Sequence, residues 1–356
     1  MSENEKKMPT LTEVRIRTSE ILLPIWQRVL ERSTIGVDDN FFDLGGDLSA
    51  ARKLFAEISQ VFGRDLSPVT VLETPTIKSL AAFLESGDSP RIPTLVQMKT
   101  GAEQPAVFIT HGIGSNLLEL SQLVRNIQTD RPVYGLQTRG ADGVDEPFDR
   151  IEDMAQSYVE AVRKAQPSGP YLLIGYSMGG LVTLEMAQRL SAMGERIASL
   201  VLIESFPARD IMPAKQRARL YFRLLRNHLS NARQLPLPEA ISYILHPSKR
   251  IHRSSHGHAE SPPEQRSLYF GPAMQRMRDA DYRALASYRP RYYPGKIHFV
   301  KAENSFDFPD DAAAVWAGLS AGFVVENVPG DHFAILDAYS EDLGSVLSRY
   351  LDEAVL

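Results

Sequence analysis

The chain has 356 residues, 43% of them apolar and 23% charged, the balance of ordinary globular protein, and its length suits two domains or one large one. A formal net charge of -5 argues against nucleic-acid binding, and the absence of cysteine excludes disulfides, thiolate metal sites and cysteine nucleophiles. The opening MSENEKKMPT has no apolar h-region, and no window reaches the ~18 consecutive apolar residues of a membrane span, so the expectation is a cytoplasmic protein with no membrane partner and no metal.

Residues 1–10 are polar and expected to be disordered. From Leu11 to about Glu31 apolar residues recur with helical spacing, and Pro24 inside that pattern predicts a kink or a division. A loop over 33–46 ends in Gly45-Gly46-Asp47, a second helix is expected from Leu48 to about Phe62, and a third over Thr76–Leu84. These elements make a small all-α bundle over 11–86, followed by a linker over 87–96 whose prolines and small polar residues break any periodicity.

The remainder, 97–356, alternates strands and helices. Strands are expected at Ala106–His111, Val133–Thr138, Tyr171–Tyr176, Ser199–Glu204, Lys296–Ala302 and Phe323–Val328. Helices are expected at about Leu117–Asn126, Ile151–Gln166, Met178–Met193 and Tyr339–Leu351. Such alternation predicts a mostly parallel sheet covered on both faces. Residues 205–295 interrupt it with helical patterns, including Lys215–Leu225 and Ser267–Tyr288, and their length and place suit a lid.

Four apolar-rich residues, Tyr171 to Ile174, run into Gly175-Tyr176-Ser177-Met178-Gly179-Gly180, and a helical pattern follows. Strand, sharp turn and helix are the context in which Gly-x-Ser-x-Gly exposes a nucleophilic hydroxyl. Ser177 then needs a base, an acid to orient that base, and donors for an oxyanion. His332, in Val328-Pro329-Gly330-Asp331-His332, follows the last strand and fits the base, in the chain order expected of an α/β-hydrolase. Glu204, at the end of the strand after the nucleophile helix, is the candidate acid, with Glu303 and Asp307 after the next strand as alternatives. Asp331 adjoins His332 and would strain to orient it. The oxyanion donors are expected to be the backbone N–H groups of Met178 and Ile113, the latter in the strand-ending turn His111-Gly112-Ile113-Gly114, with His111 shaping the turn rather than acting as a base.

Gly175-Tyr176-Ser177-Met178-Gly179-Gly180, Gly330-Asp331-His332 and the His-Gly turn resemble the thioesterase domains that end nonribosomal peptide and polyketide synthesis. The resemblance covers about 95–356 and implies an α/β-hydrolase fold with a helical lid. In that family an aspartate usually stands where this chain has Glu204, whose extra methylene is a departure. Residues 1–88 resemble a peptidyl or acyl carrier domain through Asn40-Phe41-Phe42-Asp43-Leu44-Gly45-Gly46-Asp47 and Glu73-Thr74-Pro75-Thr76-Ile77. The resemblance implies 4'-phosphopantetheine held covalently on a serine directly after Asp47, installed by a phosphopantetheinyl transferase. Here Leu48 follows Asp47, and Leu48-Ser49-Ala50-Ala51-Arg52 matches the family pattern once a serine is inserted before Leu48. Three readings stand: a serine that carries its arm and is not written as a standard residue, a deleted serine, or attachment at Ser49. A deletion would rotate the following helix by about 100° relative to the loop, while the apolar spacing downstream is kept, which favours the first.

Residues 1–90 carry ten Lys and Arg against fourteen Asp and Glu, and 205–295 carry sixteen against six, so a basic lid could steer an acidic carrier. The reading is a carrier–thioesterase pair. The carrier docks on its own thioesterase, is loaded by upstream synthase modules or an acyl-activating enzyme, and is relieved of its acyl or peptidyl chain by Ser177 through hydrolysis, cyclisation or transfer. The alternatives are an editing thioesterase or carboxylesterase that uses the carrier for docking, and a non-enzymatic substrate-holding module.

Overall fold

The computed structural model describes residues 11–354 except 115, 142–143, 234–271 and 306–307. The first unit is helical: α1 (Leu11–Val29), α2 (Leu48–Phe62) and α3 (Ile77–Ser86), with a 3-10 turn at Pro68–Leu72. Asp47 caps α2 by accepting from Ala50 N–H, and Thr76 with Ser79 forms a capping box on α3. Trp26 and Phe41, both fully buried, meet edge to face at 5.5 Å and anchor the bundle core.

Pro24 does not divide α1, which runs unbroken through it. The proline removes one helical donor, and the burial of its neighbours Leu22, Ile25 and Trp26 holds the turn in place. The register of α2 is also informative. With Leu48 as its first residue, the helix buries Ala51, Leu54, Phe55 and Ile58 on one coherent face.

The second unit is a seven-stranded sheet of order β1-β3-β2-β4-β5-β6-β7. Its strands are β1 (Leu95–Lys99), β2 (Val107–Thr110), β3 (Val133–Leu136), β4 (Tyr171–Tyr176), β5 (Ile197–Ile203), β6 (Tyr293–Ala302) and β7 (Ser320–Val328). All neighbours are parallel except β1, an antiparallel edge strand that the alternation of the sequence did not reveal. Helices α4 (Ser121–Asn126), α5 (Ile151–Ala165), α6 (Met178–Ala192), α7 (Ala214–Arg233), α8 (Pro272–Ser287), α9 (Ala312–Trp316) and α10 (Ser340–Asp352) complete it. The helix expected over Leu117–Asn126 is a 3-10 turn, Leu117–Leu120, leading into α4. Strand β4 is buried along its whole length, as a central parallel strand must be.

The bundle rests on the sheet through β1 and α4. Thr100 N–H donates to Asp43 Oδ1 at 3.2 Å, Asn40 Nδ2 donates to Gln97 O at 3.5 Å, and Arg125 stands against Gly45. Lys99 pairs opposite Val133, the first residue of β3, so this contact lies at the edge where the parallel strands begin.

Candidate active site

Ser177 stands at the other edge, where the strands end. It links β4 to α6 with φ 56 and ψ -125, a strained conformation for a residue with a Cβ. Its N–H donates to Ile203 O at 2.8 Å, which fixes the turn to β5. The flanking glycines are a steric necessity: a Cβ on Gly175 would fall 2.5 Å from Gly180 Cα, and one on Gly179 would fall 2.2 Å from His111 O. Met178 is the first residue of α6, so its N–H has no partner within the helix and belongs to the positive helix end.

The His111–Gly114 turn lies against the serine. A Cβ on Gly112 would stand 3.2 Å from Ser177 Cβ. His111 is buried, and burial lowers its pKa to about 4, so the ring is neutral. Its Nδ1 donates to Gly112 O at 2.8 Å and its Nε2 accepts from Thr138 N–H at 3.3 Å. Both ring nitrogens are engaged in bracing the turn.

The structure brings His332 and Glu204 together: His332 Nδ1 lies 3.4 Å from Glu204 Oε2. Glu204 is fully buried and sits at φ 48, directly after β5. Its Oε1 accepts from Ala302 N–H at 2.9 Å, and Ser305 Oγ donates to its Oε2. These donors hold the longer glutamate in one position. Of the alternative acids, Glu303 is exposed, and Asp307 lies outside the described residues. Asp331 Oδ1 is taken by the N–H groups of Phe333 and Ala334, so it caps the turn after His332.

The His332 ring is enclosed by aromatic groups. Tyr176 stacks at 5.0 Å, Phe308 tilts at 4.7 Å, and Phe333 meets it edge-on at 5.1 Å. Tyr176 Oη donates to His332 O at 2.6 Å, tying the residue before the serine to the histidine backbone. Ser305 carries no sequence signal, and Tyr176 stands out only as the variable residue of Gly-x-Ser-x-Gly.

Helices α7 and α8 are the described parts of the segment expected to form the lid. Of its aromatic and apolar residues, Tyr221 and Phe222 are exposed and Met274 is half-buried, while Tyr243, Tyr269 and Phe270 lie outside the described residues. Among the described residues no helix is long and apolar enough to cross a membrane, and no group of three or more metal-ligating side chains occurs.

In the helical bundle, α2 begins at Leu48, directly after its cap Asp47. Asp47 spends its side chain on Ala50 N–H, and Leu48 is half-buried against the core. Ser49, in the first turn, exposes a hydroxyl beside the positive end of the helix. The bundle meets the sheet at the edge where the strands begin, and the six residues of β4 span about 20 Å from that edge to the Ser177 end at the usual rise per residue.

Two family models match the chain. The family described as Thioesterase domain matches residues 105–353, and that described as Phosphopantetheine attachment site matches 20–84. The chain is 37% identical over 203 residues to a dimodular nonribosomal peptide synthase of Bacillus subtilis (strain 168), covering 57% of this chain and 8% of that protein. It is 33% identical over 199 residues to an indigoidine synthase of Dickeya dadantii (strain 3937), covering 56% of this chain and 13% of that protein. The chain therefore spans a small part of these relatives. Among solved structures, a four-domain nonribosomal peptide synthetase, AB3403, aligns with TM-score 0.55 at 23% identity over 93% of this chain and 26% of its own. The type II thioesterase BorB of the borrelidin cluster aligns with TM-score 0.53 at 18% identity over 72% of this chain and 97% of its own. These two likenesses are of fold.

Proposed function

The chain belongs to the thioesterase-domain family and carries a phosphopantetheine-attachment domain before it, and we propose that it off-loads an acyl or peptidyl chain from its own carrier through Ser177. The observation that carries this reading is the convergence of the strained Ser177 elbow, the Gly112 turn against it, and His332 paired with the buried Glu204.

The phosphopantetheine arm supplies the thioester that presents the acyl carbonyl. Ser177 Oγ attacks that carbonyl as His332 takes its proton. The carbonyl oxygen gains negative charge and is met by the N–H groups of Met178 and Ile113. The carbon–sulfur bond breaks, His332 returns the proton to the leaving sulfur, and an acyl ester remains on Ser177. His332 then draws a proton from water, or from an amine or hydroxyl of the chain itself, as that acceptor attacks the ester. Glu204 keeps His332 in the tautomer with Nδ1–H and balances the imidazolium that forms. The aromatic enclosure of His332 excludes water and strengthens that pairing.

For the attachment point we infer a serine between Asp47 and Leu48 that bears the arm and for that reason is not written as a standard residue, with Ser49 as the other candidate. The intact mass separates them from an unmodified carrier: a mass equal to that of the 39.7 kDa chain as written removes the first reading. Upstream synthase modules and a phosphopantetheinyl transferase complete the setting. A fluorophosphonate probe tests the nucleophile. It is expected to place one adduct on Ser177 in the folded protein, and an adduct elsewhere would overturn the assignment.

A further inference from the structure

We propose that Asp281, on the helix that returns from the lid, is a positioning residue that locks the oxyanion turn by accepting a hydrogen bond from Gly114 N–H. The proposal deepens the reading of Ser177 given above and rests on it.

Asp281 sits on α8 between Ala280 and Tyr282, and 1% of it is exposed. Its Oδ2 accepts from Gly114 N–H at 2.7 Å, a contact spanning 167 residues of sequence. Burial raises its pKa to about 7, and the one group that opposes this is the Gly114 N–H. A carboxylate placed so deep is costly to the fold. A core position on α8 would be served better by the alanines and Met277 that flank it, which are buried in the same face. What Asp281 gains is a hold on one backbone amide, and that amide belongs to the turn against Ser177.

The turn needs such a hold. Gly114 has φ +57, and glycine has the widest conformational freedom of any residue. From the strand side, His111 braces Gly112. From the lid side, the carboxylate of Asp281 fixes Gly114, and the aliphatic stem of Arg278, one turn earlier on α8, fills the space next to it. Ile113, the proposed oxyanion donor, lies between the two fixed points. The Gly114 amide is engaged by Asp281 and does not compete for the oxyanion. The same contact makes the turn depend on how α8 is seated, so the lid's return helix and the oxyanion donors move as one body.

An acceptor is what the turn requires of position 281, and the charge is incidental. Asp281→Asn keeps the shape and an acceptor oxygen, Asp281→Leu keeps the branched shape without an acceptor, and Asp281→Ser is small, polar and too short to reach Gly114. The full chain is assayed for kcat and KM on a short-chain acyl thioester, and for inhibition by a trifluoromethyl ketone of the same acyl group. The Leu and Ser variants are expected to lose about 10- to 100-fold in kcat, with a parallel loss of ketone affinity and little change in KM. The Asn variant is expected to stay close to wild type. Retention of kcat by whichever of Leu or Ser folds, a loss confined to KM, or an Asn variant as impaired as the others would overturn the proposal. Fluorophosphonate labelling followed in parallel separates the two claims. Failure to label wild-type Ser177 refutes the functional reading, whereas normal labelling with unchanged kcat in the Leu or Ser variant refutes the role of Asp281 alone.

Discussion

Replacing Glu204 with Gln removes one charge and little volume from the centre of the proposed site. The carboxylate lies 3.4 Å from His332 Nδ1 and is fully buried. At an effective dielectric constant of about 20, a charge pair at that separation interacts by about 5 kcal/mol. That energy is gained only when His332 becomes an imidazolium, so its loss falls on the transition state and lowers kcat by about 10³- to 10⁴-fold. The side-chain amide also cannot accept from both Ala302 N–H and Ser305 Oγ–H as the carboxylate does, which costs about 1–3 kcal/mol of stability. Glu204→Asp keeps the charge but withdraws it by one methylene, and should fall between the two. Single-turnover release of acyl groups from the loaded carrier measures the effect, with a melting curve to show that each variant is folded. A folded Glu204→Gln protein within tenfold of wild type would refute the reasoning. Glu303→Gln, an exposed change, should leave release unaltered.

Tyr176→Phe removes the hydrogen bond to His332 O while keeping the stacked ring, and should lower kcat by about threefold to tenfold with KM unchanged, as read by steady-state kinetics. Asp281 titrates near 3.8 when unfolded and near 7 when folded, so wild type loses stability as pH rises through that window. Asp281→Asn should therefore melt no higher than wild type near pH 4 and gain steadily up to pH 7, by at most about 4 kcal/mol; a pH-independent gap contradicts this. The chain has no cysteine, so Asp43→Cys with Thr100→Cys offers a single disulfide across the contact between bundle and sheet. Oxidation should block release of a carrier-bound chain at high dilution, spare hydrolysis of a free acyl thioester, and be reversed by reductant. Continued release from the cross-linked chain would show that delivery proceeds from this docked position.

The parts of the fold written as local patterns were legible in the sequence. The parallel strands announced themselves as apolar runs, and the nucleophile elbow as glycines at fixed offsets from Ser177. Chain order placed Glu204 after one strand and His332 after the last, and the structure puts them in contact. Long-range partners were not legible. Asp281 reads as one of several charges on a polar helix, and its burial follows only from how α8 packs beside the His111–Gly114 turn. Ser305 is one more loop serine until Glu204 is found facing it. Pro24 misled because a local penalty was weighed without the burial of Leu22, Ile25 and Trp26 around it.

The central claim is that Ser177 receives the chain held by the tethered carrier. Its most direct test loads the carrier of wild type and of Ser177→Ala with the same acyl group and follows both by intact mass, together with the released product. The account predicts that wild type returns to the unloaded mass as product appears, while Ser177→Ala keeps its acyl group. Release from Ser177→Ala at the wild-type rate would contradict it.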